Sequence, residues 1–212
     1  YRWLVRWLYP FITNKKVLDI GCWSGVLEKN LYSINCKLTG IDIEEEALAE
    51  AKVKFTKYTF IKASIIETLT FQKESFDVAL FLMTIEHLPR GSETRALSNI
   101  NRILKKNGIL FLSTMNNNII SNLSDPLFFF GHRHYSLQEL KEMLSKSGFR
   151  IEEYKTHGGA SIIVYTLLFY FYKHVLNKVF YSKVIDEWMD KEYSNEGFME
   201  IKIRAVKTKD IQ

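Results

Sequence analysis

Cysteine and proline are scarce in this chain: two of the first and three of the second in 212 residues. Two cysteines cannot staple a small secreted scaffold, so a reducing, cytoplasmic setting is expected. With ten glycines and 47% apolar residues, a collagen-like repeat and wholesale disorder are both excluded. Long hydrophobic runs are missing too. The longest, Ile162 to Tyr172, falls far short of the about 20 residues that cross a bilayer. A basic run is also absent. The formal charge is +5 and the pI about 9.0, but the surplus is scattered in pairs such as Lys15-Lys16 and Lys105-Lys106. Scattered charge reads as solvated surface, not as the stripe or arm of a nucleic-acid binder, so a small-molecule partner is expected.

What is present is alternation. Val17 to Ile20, Leu38 to Asp42, Tyr58 to Lys62, Phe76 to Leu82, Gly108 to Thr114, Phe149 to Tyr154 and Phe198 to Val206 read as strands. Between them, Ser24 to Ser33 (capped by Ser24), Glu44 to Lys54, Thr94 to Leu104 and Ser136 to Ser147 read as helices. Nearly all-apolar strands alternating with helices of 10–12 residues indicate βαβ crossovers and a mainly parallel sheet covered on both faces. The expected architecture is a single α/β domain, doubly wound, with a Rossmann-like seven-stranded sheet whose last strand is antiparallel. It divides into an N-terminal helix (1–15), a cofactor-binding core (16–155), a helical insertion (156–197) and the last strand (198–208).

In such a sheet, ligands bind beyond the carboxyl ends of the strands. The first strand ends in Asp19-Ile20-Gly21-Cys22-Trp23-Ser24-Gly25, where glycines permit a tight turn and close approach to a ligand. Asp42, 21 residues after Gly21, has the spacing of a carboxylate that accepts ribose hydroxyls. A dinucleotide fingerprint would need glycines at 23 and 26, where this chain has Trp23 and Val26. Asp19 would also repel a pyrophosphate. A ligand carrying an ammonium and a sulfonium would welcome it, which points to S-adenosylmethionine (SAM).

The chain resembles the class I SAM-dependent methyltransferases, most of all the small-molecule group of the methyltransferase type 11 and ubiquinone-biosynthesis kind. The resemblance rests on Val17–Gly25, Gly40–Leu48, Ser75–Leu88 with its Glu-His-Leu ending, Arg102–Thr114, and Tyr135–Phe149, in order and at matching spacing. It implies that Asp19, Gly21, Cys22 (through its backbone) and Gly25 shape the pocket for the methionine part. It also implies that Asp42 holds the ribose, Ile43 packs on adenine, Ser64 or Ile65 stands at the adenine edge, and Leu82 and Met83 line the site. Trp23 replaces the middle glycine of the family loop, so its side chain must point away from the cofactor or serve as a wall.

Methyl transfer needs alignment, exclusion of water and, for a hydroxyl acceptor, loss of a proton. His87 is the candidate base; the alternative is that it orders the loop before Pro89. His132, Arg133, His134 and Tyr135 are candidate substrate contacts. No Cys/His/carboxylate cluster accompanies the histidines in sequence, so no metal is expected. Leu127 to Phe130 suggests an apolar wall or lid.

The segment 160–181 reads as a helix apolar nearly all round, either buried under the N-terminal helix Arg2 to Tyr9 or laid against a lipid-like substrate or membrane surface. The aromatics cluster in 1–11, 127–135 and 165–181, which suggests a cap over the cofactor domain. The expected function is O- or N-methylation of an apolar, lipid-like or carbohydrate-linked molecule. The alternatives are an NAD-type oxidoreductase and a non-catalytic SAM-binding module.

Overall fold

The computed structural model describes residues 2–178 and 180–210; Tyr1 of the expected N-terminal segment and Val179 of the expected 160–181 helix lie outside them. Seven strands form one sheet: β1 (Lys16–Ile20), β2 (Lys37–Asp42), β3 (Thr59–Lys62), β4 (Phe76–Leu82), β5 (Leu104–Met115), β6 (Phe149–His157) and β7 (Glu200–Lys207). Their order is β3-β2-β1-β4-β5-β7-β6, with β7 antiparallel to both neighbours and the pairs from β3 to β5 parallel. The order reverses between β1 and β4, which makes that junction the switch point.

Apolar strands bury on both faces because helices cover both. One face carries α1 (Arg2–Ile12), α2 (Val26–Leu31) and α3 (Glu45–Lys54), whose Leu4, Leu8, Ile12, Leu31, Leu48 and Ala51 join Val17, Val78 and Phe111 in one core. Leu4, Leu8 and Ile12 recur every four residues, so α1 offers a single apolar stripe. Trp7 and Phe11 also meet Phe111 edge-on, at 4.6 and 5.5 Å between ring centres. The opposite face carries α4 (Glu93–Ile103) and α6 (Leu137–Lys146), which bury Leu97, Ile100, Leu140 and Leu144 against Leu18, Phe81 and Ile203.

Three local expectations change. Ser24 does not cap α2; Gly25 stands at its N-cap in a left-handed conformation with no side-chain cap bond. The helix before β5 ends at Ile103, and β5 starts at Leu104. The Asn107-Gly108 pair forms an irregularity inside the strand, with Asn107 at φ +61°. Residues 116–135, between β5 and α6, hold α5 (Ile119–Ser124) and a 3-10 turn over Pro126–Phe130. The apolar helix of 160–181 stops early, as α7 (Ala160–His174), and α8 (Lys183–Glu192) follows. Only Ser161 of α7 is fully buried, and α7 packs on α8 and α5. Among the described residues, no helix is long and apolar enough to cross a membrane.

Candidate active site

The loop after β1 is shaped by three left-handed residues, Gly21 (φ +78°), Trp23 (+49°) and Gly25 (+85°). Gly21 and Cys22 donate their N–H groups to the Ile41 carbonyl at 2.8 and 3.2 Å, which folds the loop over the end of β2. A side chain at Gly21 would place Cβ 2.5 Å from Thr84 Oγ1, a hydroxyl within bonding distance of the Ile20 and Leu82 carbonyls. Glycine is therefore required there on two counts, backbone angle and space. Asp42 clamps the loop from below: its Oδ2 accepts from the Trp23 N–H at 2.8 Å and its Oδ1 from the Glu44 N–H at 3.0 Å. Trp23, an aromatic residue in a region that favours glycine, holds its side chain 56% exposed at the rim. Met83, at φ +48°, is a second strained residue across the opening. Strain of this kind concentrates where a site over-determines the backbone.

Beneath the loop lies a pair of buried carboxylates. Asp19 is 4% exposed and Glu28 not at all, and neither Glu28 oxygen has a hydrogen-bond donor within reach. Burial, reinforced by Glu28 beside it, holds the Asp19 carboxyl well above the ordinary range, and burial raises Glu28 as well. Both shifts favour the neutral form of the pair over two adjacent buried charges. Burial and the same carboxylates also push the Cys22 thiol up, so it is not a nucleophile.

A cavity of about 920 Å³ opens above this floor. Six carboxylates line it, from Asp19, Asp125, Asp186, Glu187, Asp190 and Glu200, against two cations among the described residues, Arg2 and Lys183. Apolar side chains share the lining with them: Trp3 and Leu4 from α1, Met115 and Met199 from strand ends, Ile162, Tyr165 and Phe169 from α7, and Met189 from α8. The cap is fastened around Lys202 on β7, whose ammonium lies over the rings of Trp3 and Tyr193. Those rings stack at 4.6 Å. Burial pushes Lys202 down to about 7.

Of the residues expected at the cofactor, Asp19, Gly21, Cys22, Leu82 and Met83 line the cavity. Gly25 and Asp42 shape the loop from behind, and Ile43 stands 61% exposed beyond it. Ser64 is half-buried outside the lining. Ile65 is corrected: its side chain is 4% exposed in the core with Leu97 and Ile100, because it follows β3 inward under α4.

On the substrate side, His132 reaches the cavity and its neighbours do not. Arg133 pairs with Glu93 and donates to the carbonyls of Ile85 (3.1 Å) and Leu88. His134 is buried against Asp125, Asn122 and Ser121, and the Tyr135 hydroxyl donates to Glu93 Oε1 at 3.2 Å. These three are structural ties, not substrate contacts. His87 is exposed outside the lining, with its ring stacked on His132 at 4.7 Å. Leu127–Phe130 forms no cavity wall; Phe129 and Phe130 point outward at 67% and 87% exposure. The absence of carboxylates near the histidines is also corrected. The fold brings Glu86 and Asp125 to them.

The residues missed in sequence are Glu28, a charge hidden in an ordinary-looking helix, and the lining of Met115, Met199 and Glu200 at strand ends. The aromatic clusters were the available signal for Trp3, Tyr165 and Phe169.

Sheet order, loop and acid-floored cavity define a class, the Rossmann-like SAM-dependent methyltransferases, whose cofactor is S-adenosylmethionine. The chain belongs to the methyltransferase-domain family, whose model matches residues 2–154. It is similar to the ubiquinone biosynthesis O-methyltransferases of Paraburkholderia phymatum and Dechloromonas aromatica. The first is 33% identical over 128 residues (56% of this chain, 53% of the relative) and the second 32% over 111 residues (50% and 47%). The chain thus spans about half the length of the curated relatives it matches.

Among solved structures, a SAM-dependent methyltransferase from Archaeoglobus fulgidus superposes with a TM-score of 0.71 at 19% identity, covering 96% of this chain and 91% of that one. The [4+2]-cyclase SpnF does so at 0.69 and 19%, covering 96% and 79%. The fold accommodates more than one chemistry, so the reaction must be argued from the site.

The residues present fit the cofactor. A cationic ligand suits an acid-lined cavity, and the left-handed loop brings backbone close to the ligand. Each Asp42 oxygen keeps a lone pair beyond its backbone bond, free for a ribose hydroxyl.

Proposed function

We propose that this protein transfers a methyl group from S-adenosylmethionine to an oxygen of an apolar, lipid-like acceptor. The observation that carries the reading is the mixed lining of the cavity beside the glycine loop: Asp19 at the end of β1, carboxylates of α8 and β7 around it, and the aromatic and methionine side chains of Trp3, Tyr165, Phe169, Met115, Met189 and Met199. The similarity to ubiquinone biosynthesis O-methyltransferases favours oxygen as the acceptor atom. An oxidoreductase using a dinucleotide would have to bring a pyrophosphate among those carboxylates, against Coulomb repulsion in a partly dry site.

When bound, S-adenosylmethionine would supply an electrophilic methyl on a sulfonium, leaving as the neutral thioether S-adenosylhomocysteine when the methyl passes to the acceptor oxygen and the acceptor's proton to water. Asp19, Gly21, Cys22 and Gly25 hold the methionine end, and Asp42 the ribose. Ile43 and Ser64 flank the adenine, while Leu82 and Met83 line the path of transfer. Trp3, Tyr165 and Phe169 exclude water and orient the apolar acceptor, which makes alignment the main source of rate.

The acceptor would be collected at a membrane surface. α5 packs against both α7 and the turn over 126–130. Together these elements expose Ile119, Leu123, Phe130, Leu167, Phe171 and Val175, beside Lys173 and Lys178.

Calorimetric titration with SAM, S-adenosylhomocysteine and NAD tests the cofactor, and label transfer from methyl-tritiated SAM to phenols with and without an alkyl chain tests the acceptor. The expected result is binding of the first two ligands only, with faster labelling of the alkylated phenols. Binding of NAD without S-adenosylhomocysteine refutes the reading. Equal labelling of short and alkylated phenols refutes the apolar acceptor.

A further inference from the structure

Beside the cavity, two buried acceptor atoms have no partner. Glu86, on the turn Ile85–His87 that follows β4, is 2% exposed; its Oε2 accepts from Thr114 Oγ1 at 3.0 Å and its Oε1 meets nothing. His132 Nδ1 is bonded to Asp125 Oδ2 at 2.5 Å, and its Nε2 is buried and unpartnered. The hydrogen bond to an ionised carboxylate places the proton on Nδ1 and leaves Nε2 as a bare lone pair. A buried polar atom left unsatisfied is destabilising, and here two occur together.

A carboxylate oxygen of Glu86, a ring nitrogen of His87 and a ring nitrogen of His132 lie within 4.8 Å of one another. The two residues that carry the orphaned atoms thus converge with a third, exposed one. A second grouping, Asp125 with His132 and His134, is different. There Asp125 Oδ2 is already bonded to both rings, at 2.5 and 3.0 Å, so its atoms are spent on each other.

We propose that Glu86, His87 and His132 form a binding site for a divalent transition-metal ion of the zinc class. Two imidazoles and one carboxylate are a donor set such ions favour, with a further position left open. Asp125 does what outer-sphere carboxylates do in metal sites: it fixes the tautomer and orientation of a ligating histidine. His132 also lines the cavity, so the site sits on the acceptor side of the molecule. The binding inference goes beyond methyl transfer and does not depend on it.

The test uses the full chain without an affinity tag, freed of metal by chelator and dialysed against Zn²⁺ or Co²⁺. Wild type should retain one equivalent of Zn²⁺. The exposed substitution His87→Gln, with folding checked by circular dichroism, should weaken retention by about tenfold or more. Co²⁺ in the wild-type protein should show the intense visible bands of a four- or five-coordinate ion, a readout that needs no variant. Failure to retain Zn²⁺, equal retention by a folded His87→Gln protein, or the pale octahedral spectrum of a solvated surface Co²⁺ each overturns the proposal.

Discussion

Glu28 looks unremarkable in the chain, one acid in a short polar-and-apolar helix. In the fold it is wholly buried beside Asp19, because α2 turns that face onto β1 under the glycine loop. Its effect on stability has a definite sign. In the unfolded chain Glu28 titrates near 4.5, and in the fold burial pushes it up to about 7. The folded state therefore binds more protons over that window. The contribution is fully present below about pH 4.5 and is lost as pH rises through about 7. Glu28→Gln should remove this dependence: between pH 5 and pH 8 the wild type should lose on the order of 1–3 kcal/mol more stability than the variant. Urea midpoints across that range measure it, and parallel curves would show that burial does not raise Glu28 as argued. Asp19, Gly21 and Asp42 were legible in sequence because a turn, a charge and a spacing mark them. Glu28 was not, because burial of a charge is a property of neighbours.

At the scale of elements, short apolar runs located the strands, most of which bury both faces, and helical periodicity located the amphipathic helices, which bury one. It failed where an element has no such face. α5 has six residues and exposes Ile119, Ile120 and Leu123, so no apolar stripe announces it. α7 is apolar all round, so composition alone could not say that it stops at His174. α6 shows the opposite case, with its start fixed locally by a reciprocal cap: Ser136 accepts from the Glu139 N–H at 3.2 Å, and Glu139 accepts from the Ser136 N–H at 2.7 Å. Ser136→Ala should destabilise the protein by about 1 kcal/mol. α6 contributes nothing to the cavity lining, so affinity for S-adenosylhomocysteine should stay unchanged. Denaturant midpoints and calorimetric titration separate the two effects, and a joint loss would mean that α6 communicates with the site.

At the scale of the molecule, two faces of the cap have different consequences. The inner face, from α1, α7 and α8, closes over Asp19 and the glycine loop and adds the carboxylates of Asp186, Glu187 and Asp190 from α8. The outer face leaves apolar side chains of α5, α7 and the 126–130 turn exposed beside Lys173 and Lys178. If that face meets anionic lipid, the chain should co-sediment with vesicles containing phosphatidylserine. Salt should weaken this binding, because part of it is screened charge. Replacing Phe171 with Ser and Lys173 with Glu should release the protein from vesicles while its affinity for S-adenosylhomocysteine persists. Retention of the double variant, or no retention of the wild type at low salt, refutes the membrane contact.

The linear sequence determined the layered α/β sheet and the cofactor end of the site. Both are written in short-range terms: alternating apolar strands, glycines that permit left-handed backbone, and a carboxylate at a set distance along the chain. Tertiary structure alone decided which histidine faces the cavity, that Arg133 and Tyr135 are spent on Glu93, and that Glu86 and Asp125 converge on His132. Apart from Asp125, which lies near His132 in the chain, those relations join residues some forty positions apart through the packing of β4, β5 and the loop before α6, and no pattern local to the chain encodes a meeting of that kind.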